Sequence, residues 1–247
     1  MKAKLLFLSL ISLLIIPSCT IESNYQYEEA DKYSEYSEPL DFDNETLSFK
    51  KLTVGWLSGT VNIVEGEDFH VQESNENGEY YPLYYYQKDD ELKIQFCKSG
   101  LKTVVTDNIK KTLEITIPQS IDYIDLNLVA STYNVSATTL KDLNVNIVSG
   151  SGEIRLNSLE NFSFNGVSGN ITLKLASTLE LKNITIEIVS GNANLYLSPI
   201  RGYILDFSSV SGSVNKEFIE GNDTSLNKFK IKYESVSGNL NICSIEE

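Results

Sequence analysis

The chain has 247 residues, 41% of them hydrophobic, and a formal net charge of −14. That length suffices for one well-buried domain, and so acidic a surface is repelled by the phosphates of nucleic acid, which excludes nucleic acid as a partner. The only histidine, His70, excludes a histidine-based metal cluster and most catalytic triads.

The chain opens Met1-Lys2-Ala3-Lys4, is apolar from Leu5 to Ile16, and continues Pro17-Ser18-Cys19. A short basic start, an apolar stretch and a small residue before the cleavage point are the parts of a secretory signal. The stretch is shorter than the roughly 20 residues that a membrane span needs. The run Ile16-Pro17-Ser18-Cys19 resembles the bacterial lipoprotein signal, an aliphatic residue and two mostly small ones before a Cys, with Pro17 an unusual occupant. The resemblance implies a signal peptide over residues 1–18, cleavage between Ser18 and Cys19, and a diacylglyceryl group on Cys19. The membrane is then a partner through the N-terminal lipid, since each buried methylene contributes about 0.8 kcal/mol, and the location is the bacterial cell envelope. Thr20 stands where some lipoproteins retained at the inner membrane carry an acidic residue, which points to the outer membrane.

Residues 20–48 hold nine acidic residues against Lys32 and few aliphatic ones. Such a composition buries too little apolar surface to fold alone. Residues 19–48 therefore read as the lipidated Cys and a disordered acidic tether. Its tyrosines (Tyr25, Tyr27, Tyr33, Tyr36) could alternatively form a recognition strip.

From residue 49 onward the pattern is that of strands. Alternating segments near 50–57, 60–65, 68–73, 82–87, 91–97 and 112–117 are separated by turn signals at Asn77-Gly78 and Lys88-Asp89-Asp90. Asn-Gly favours a tight hairpin, so antiparallel pairing is expected here, flanking or capping the first coils. His70 falls on one of these segments and reads as a surface residue. Cys97 and Cys243 each end an alternating apolar run and read as two free thiols.

The rest of the chain repeats itself. Val-Ser-Gly recurs at Val148-Ser149-Gly150, Val167-Ser168-Gly169, Val189-Ser190-Gly191, Val210-Ser211-Gly212 and Val236-Ser237-Gly238. Leu57-Ser58-Gly59 is a near copy and Val129-Ala130-Ser131 a weaker one. From Ala130 onward the steps are 19, 19, 22, 21 and 26 residues, the longest accommodating an outward loop at 216–228. Apolar residues alternate with polar ones before each triplet (Leu143, Val145, Ile147; Ile184, Ile186, Ile188) and after it (Ile154, Leu156; Leu195, Leu197). Period two with β-branched residues means strands with one buried face, and no helical period interrupts them. Units of strand, corner and strand predict an all-β fold, a right-handed parallel β-helix (β-solenoid) over 49–245 with a partly antiparallel N-terminal region. A recurring corner calls for Gly, through its backbone freedom or because a neighbour approaches too closely for a Cβ. Counting by twos from Ile188 turns Ser190 inward and Val189 outward, unless the corner bends early and turns the valine in.

These corners, an opening Ser58-Gly59-Thr60-Val61-Asn62-Ile63 and the element Leu113-Glu114-Ile115-Thr116-Ile117-Pro118 resemble the bacterial "putative adhesin" β-solenoid domain, a family of unknown function. The likeness covers about residues 50–243; family members often carry Asp after the corner Gly, which this chain does not. The resemblance implies a right-handed solenoid at the cell envelope and an adhesive or structural role, with a protein or glycan ligand of unknown identity. The residues point to no catalytic site, metal or cofactor. Charged residues within the repeats (Glu153, Arg155, Lys174, Glu187, Asp206) are sparse, at corner offsets that predict no shared patch. Glu153 and Arg155 read as an outward pair. A non-enzymatic binding module is the leading expectation, an envelope sensor or scaffold contacting membrane proteins the second, and a polysaccharide-active β-helix enzyme the third.

Overall fold

The computed structural model describes residues 27–36, 40–43, 46–75, 81–100, 111–216 and 227–245. Ser18 and Cys19 lie outside the described residues, as do the Asn77-Gly78 turn and most of the expected 216–228 loop. Alternation of apolar and polar side chains produces strands throughout: β1 Ser34–Glu35, β2 Leu40–Phe42, β3 Lys51–Glu65, β4 Phe69–Asn75, β5 Tyr84–Lys88, β6 Glu91–Gln95, β7 Lys111–Ile117, β8 Tyr123–Leu175, β9 Asn183–Leu197, β10 Tyr203–Ser211, β11 Val214–Lys216 and β12 Phe229–Ser244. One 3-10 turn, Ala30–Lys32, precedes β1.

Strands stack in parallel layers, each layer bent at the Ser-Gly corner into a first wall before it and a second wall after it. β3 pairs with β8 through both walls, Leu52 opposite Ile124 and Val61 opposite Tyr133. The last part of β8 pairs with β9, Phe162 opposite Ile184 and Leu173 opposite Leu195. Within β8 the chain stacks on itself in nineteen-residue steps, seen in Asn144 on Asp125 and Asn161 on Asp142. Equivalent inward residues therefore form columns along the axis. Leu92, Leu52 and Ile124 lie in one such column, and Phe162, Ile184, Ile231 and Leu205 in another segment of the same wall. Most are fully buried, each contributing about 1.5–3 kcal/mol relative to exposure.

Layer order departs from chain order at both ends. β6 and β7 follow β3 in the chain yet lie on its outer side, pairing with its first and second walls respectively. At the other end β12 pairs with β9 on one side and with β10 and β11 on the other. The last strand of the chain is thus inserted beneath the one before it. The expectation of a simple succession of coils is corrected on this point: Val210-Ser211-Gly212 belongs to the terminal layer, not to the layer after Val189-Ser190-Gly191.

The end beyond β6 and β7 is closed by antiparallel strands. β5 pairs with β6 and β1 with β5; β4 pairs with β7 and β2 with β4. The cap corrects the reading of residues 20–48 as tether, because its described part is docked. Tyr36 is buried, its N–H bonded to the Leu83 carbonyl (2.9 Å) and its hydroxyl to that of Val71 (3.2 Å). Phe42 packs edge-on against Phe49, at 5.7 Å between ring centres, and Phe69 completes the cluster. The tyrosines and Phe42 supply the apolar area that the acidic composition of this stretch conceals.

Candidate functional site

The corners are the feature that the sequence singles out. Ser168, Ser190, Ser237 and Ser211 occupy matching positions in successive layers, as do Gly191 and Gly238. A Cβ on Gly191 would stand 1.9 Å from the Gly169 carbonyl oxygen, one on Gly238 2.1 Å from that of Gly191, and one on Gly212 2.0 Å from that of Gly238. On the other side of the row, Gly150 meets the carbonyl of Ser131 and Gly59 that of Lys111. Gly169 is looser, its nearest atom being Ile147 Cγ2 at 3.1 Å. The parity expected at the corner is reversed: Ser149, Ser168, Ser190, Ser211 and Ser237 are exposed, while Val148, Val167, Val189 and Val236 are half-buried. The bend comes early enough to turn the valine in. Ser58 is buried and Val210, on the terminal layer, is exposed. This row packs the corner.

The outer faces of the walls carry amide ladders. On the first wall Asn146 donates to Asn127 (3.0 Å) and Asn165 to Asn146 (3.1 Å), while Asn183 donates to Asn161 (3.0 Å). On the second wall Asn134 donates to Asn62 (2.8 Å), which donates to Glu114 (2.8 Å), and Asn241 donates to Asn194 (2.8 Å). Immediately after the corner the backbone N–H groups of Asn192, Asn239 and Ser213 each donate to an Asn side chain of the adjoining layer. Side-chain amides thus join layers whose backbones are already paired.

Charges pair locally on each wall, the expected Glu153–Arg155 pair among them, without joining into one patch. Glu153 forms ion pairs with Arg155 (2.8 Å) and with Lys174 of the next layer (2.6 Å). Glu187 pairs with Lys232 (2.7 Å), which also contacts Glu234. Corner offsets miss the Lys174 and Lys232 partners because those ion pairs span layers. Arg155 and Lys174 border a groove of about 440 Å³ at the far edge of the second wall, with Val64, Ala137 and Ala176 as apolar lining and Glu65 and Asn157 among its polar groups. Glu65 accepts from the Gln119 amide (3.0 Å) and the Thr138 hydroxyl (2.7 Å). Burial works against its charge, but these donors and the Thr138 N–H outweigh it and hold the carboxyl below its ordinary range. Glu65 is thus kept ionised, unsuited to donating a proton.

The cap contains a buried ion pair with no counterpart among the residues picked out from sequence. Lys111 is 1% exposed, and its Nζ lies 2.7 Å from Glu73, donates to the carbonyls of Tyr81 (2.6 Å) and Phe96, and sits over the rings of Trp56 and Phe96. Burial pulls the ammonium below its ordinary pKa, the Glu73 carboxylate opposing. Beside it, burial pushes the Cys97 thiol up to about 11, so it is a poor nucleophile at neutral pH. Neither Cys97 nor Cys243 is in a disulfide. The signal that could have found the pair is parity: Lys111 lies two residues before inward Leu113, and Glu73 two after inward Val71. His70 lies on β4, partly exposed beside Asp41. No group of three or more metal-binding side chains occurs among the described residues.

No curated protein matches the chain. A solved structure from Clostridium sporogenes, named "putative cell adhesion protein", is similar at 18% identity, covering 86% of this chain and 100% of that one, with a TM-score of 0.51. That likeness is one of fold. A "putative adhesin" from Bacteroides fragilis is similar at 16% identity over 85% of this chain and 99% of that one, with a TM-score of 0.30. Residues 49–243, the layered part from Phe49 to the last turn of β12, match the family described as Toastrack DUF4097, and the chain belongs to that family.

Proposed function

We propose that this protein is a lipid-anchored component of a bacterial cell envelope that binds a polar partner, protein or glycan, on the second wall of its solenoid and does not turn it over. The observation that carries this reading is the groove beside Glu65. It offers apolar lining with a polar rim, where Arg155 and Lys174 are both paired with Glu153 beside the groove and Glu65 accepts from the Thr138 hydroxyl. Such a rim can exchange hydrogen bonds with hydroxyl or amide groups of a ligand, yet it contains no thiol, histidine or neutral acid poised for chemistry. The adhesive role named for the Clostridium relative and the lipoprotein-like Ile16-Pro17-Ser18-Cys19 agree with this reading. Right-handed winding of the layers is part of the same proposal.

The test uses the lipidated protein in membranes, probed with envelope polysaccharides and with outer-envelope extracts from neighbouring cells. Saturable binding that weakens at least tenfold in Arg155→Ala/Lys174→Ala supports the groove. Binding that the double variant leaves intact removes the groove from the account, and cleavage of any polysaccharide removes the non-enzymatic reading. Cys19→Ser is expected to move the protein from membranes to the soluble fraction; retention in membranes would overturn the anchor.

A further inference from the structure

The docked N-terminal segment fixes how far the lipid can stand from the fold. Tyr27 is already attached to the cap: its hydroxyl donates to the Cys97 carbonyl (2.8 Å) and its N–H to Ser99 Oγ (3.3 Å). Tyr27 and Tyr33 meet edge to face at 4.6 Å, Tyr33 meets Tyr86 at 5.4 Å, and Lys32 and Lys88 both hold Glu29. Glu35, on β1, accepts from the Tyr84 hydroxyl (2.7 Å), a bond that pushes that phenol up to about 12. Only residues 20–26 separate this attachment from Cys19. Even fully extended, the path from Cys19 to Tyr27 spans no more than about 29 Å. A leash free to residue 48 would reach about 100 Å. The stack itself, from the β6–β7 layer to the β10–β11 layer, is about 35 Å tall at roughly 4.8 Å per layer.

We infer that the cap end of the solenoid, at the β5–β6 hairpin and the segment docked on it, faces and touches the membrane carrying the lipid, with the β10–β11 layer on the far side. This inference rests on the proposed lipid at Cys19. The surface so placed has the chemistry of a membrane interface. Tyr27, Tyr33, Tyr84 and Tyr86 are each half-buried, while Tyr85 between the last two turns to the core, and tyrosine concentrates at the level of lipid head groups. Glu28, Glu29 and Asp31 in the same segment oppose attraction to anionic lipid, so the short lipid leash, not net charge, holds the contact, with the tyrosines suited to the surface it brings them to. The leash is therefore short and one-sided, and it leaves the second wall and the far layer free for a partner.

The lipidated full chain is reconstituted into phosphatidylcholine vesicles carrying a head-group energy acceptor, in a Cys97→Ala/Cys243→Ala background. A donor dye is attached either at Asp90→Cys on the β5–β6 turn or at Ser211→Cys on the far layer. Strong transfer from position 90 and at least threefold weaker transfer from position 211 is expected. A Gly-Ser insertion of twenty residues after position 22, upstream of the docked Tyr27, should lower transfer from position 90. Equal transfer from both sites, or transfer indifferent to the insertion, overturns the orientation while leaving lipidation standing. Intact mass without the acyl increment, with no vesicle binding, overturns the lipid and the orientation with it.

Discussion

At the scale of single residues, Lys111 shows how the cap tolerates a charge in its interior. An ammonium deprived of water is costly unless each of its protons finds an acceptor. Here Glu73, the Tyr81 carbonyl and the Phe96 carbonyl supply three, with two aromatic faces completing the shell. Removing the ammonium would leave the Glu73 carboxylate, itself 2% exposed in its side chain, without its cation. Lys111→Met is expected to destabilise by about 3–5 kcal/mol, read as a lower urea midpoint with an unchanged slope. Lys111→Met/Glu73→Leu should recover part of that loss, since no uncompensated charge remains. A double variant no more stable than the single one would show that the carbonyl contacts, not the charge pair, dominate.

At the scale of the element, the corner motif is uniform in sequence and uneven in physics. Gly191 has φ +141° and faces the Gly169 carbonyl oxygen at a distance no Cβ could occupy, while Gly169 has no such backbone requirement and its tightest neighbour, at 3.1 Å, is the Ile147 side chain, which needs to give only a few tenths of an ångström. Gly191→Ala should therefore cost upward of about 2 kcal/mol, whereas Gly169→Ala should cost under about 1 kcal/mol, measured by thermal unfolding of the two variants side by side. Comparable losses at both positions would contradict the geometry of the row. The same contrast marks what was legible beforehand. Period-two alternation and the recurrence of Ser-Gly are local properties of the chain, so strands, corners and parallel stacking could be read from them. The direction of Ser190 and Val189 could not, because counting by twos fails where the backbone bends. Nor could the groove, which gathers Glu65, Thr138, Arg155 and Lys174 from layers far apart in sequence. The docking of Tyr36 and Phe42 was hidden by the acids around them, since composition averages over the few side chains that face inward.

At the scale of the whole molecule, the order of layers governs how the solenoid comes apart. If each layer followed its predecessor in the chain, the C-terminal strand would be the outermost and the first to fray. Instead β12 lies between β9 on one face and β10 with β11 on the other, while the other edge of β10 and β11 has no strand partner among the described residues. Ile204 and Val210 on that terminal layer are 55% and 82% exposed, and Leu205 and Phe207 are only partly covered. Layers of a stack open in order of the neighbours they lack, and amide exchange reads that order. Backbone amides of residues 203–216 should therefore exchange first among the repeats, although they lie upstream of β12. Amides of residues 230–243 should be protected to the same degree as those of 184–197. Exchange of 230–243 before 203–216 would mean that the final strand is peripheral after all, and the inserted layer would have to be abandoned. Because the exposed layer is the one farthest from the cap, such fraying would begin at the end opposite the docked segment and leave the Lys111 pair undisturbed until the intervening layers had opened.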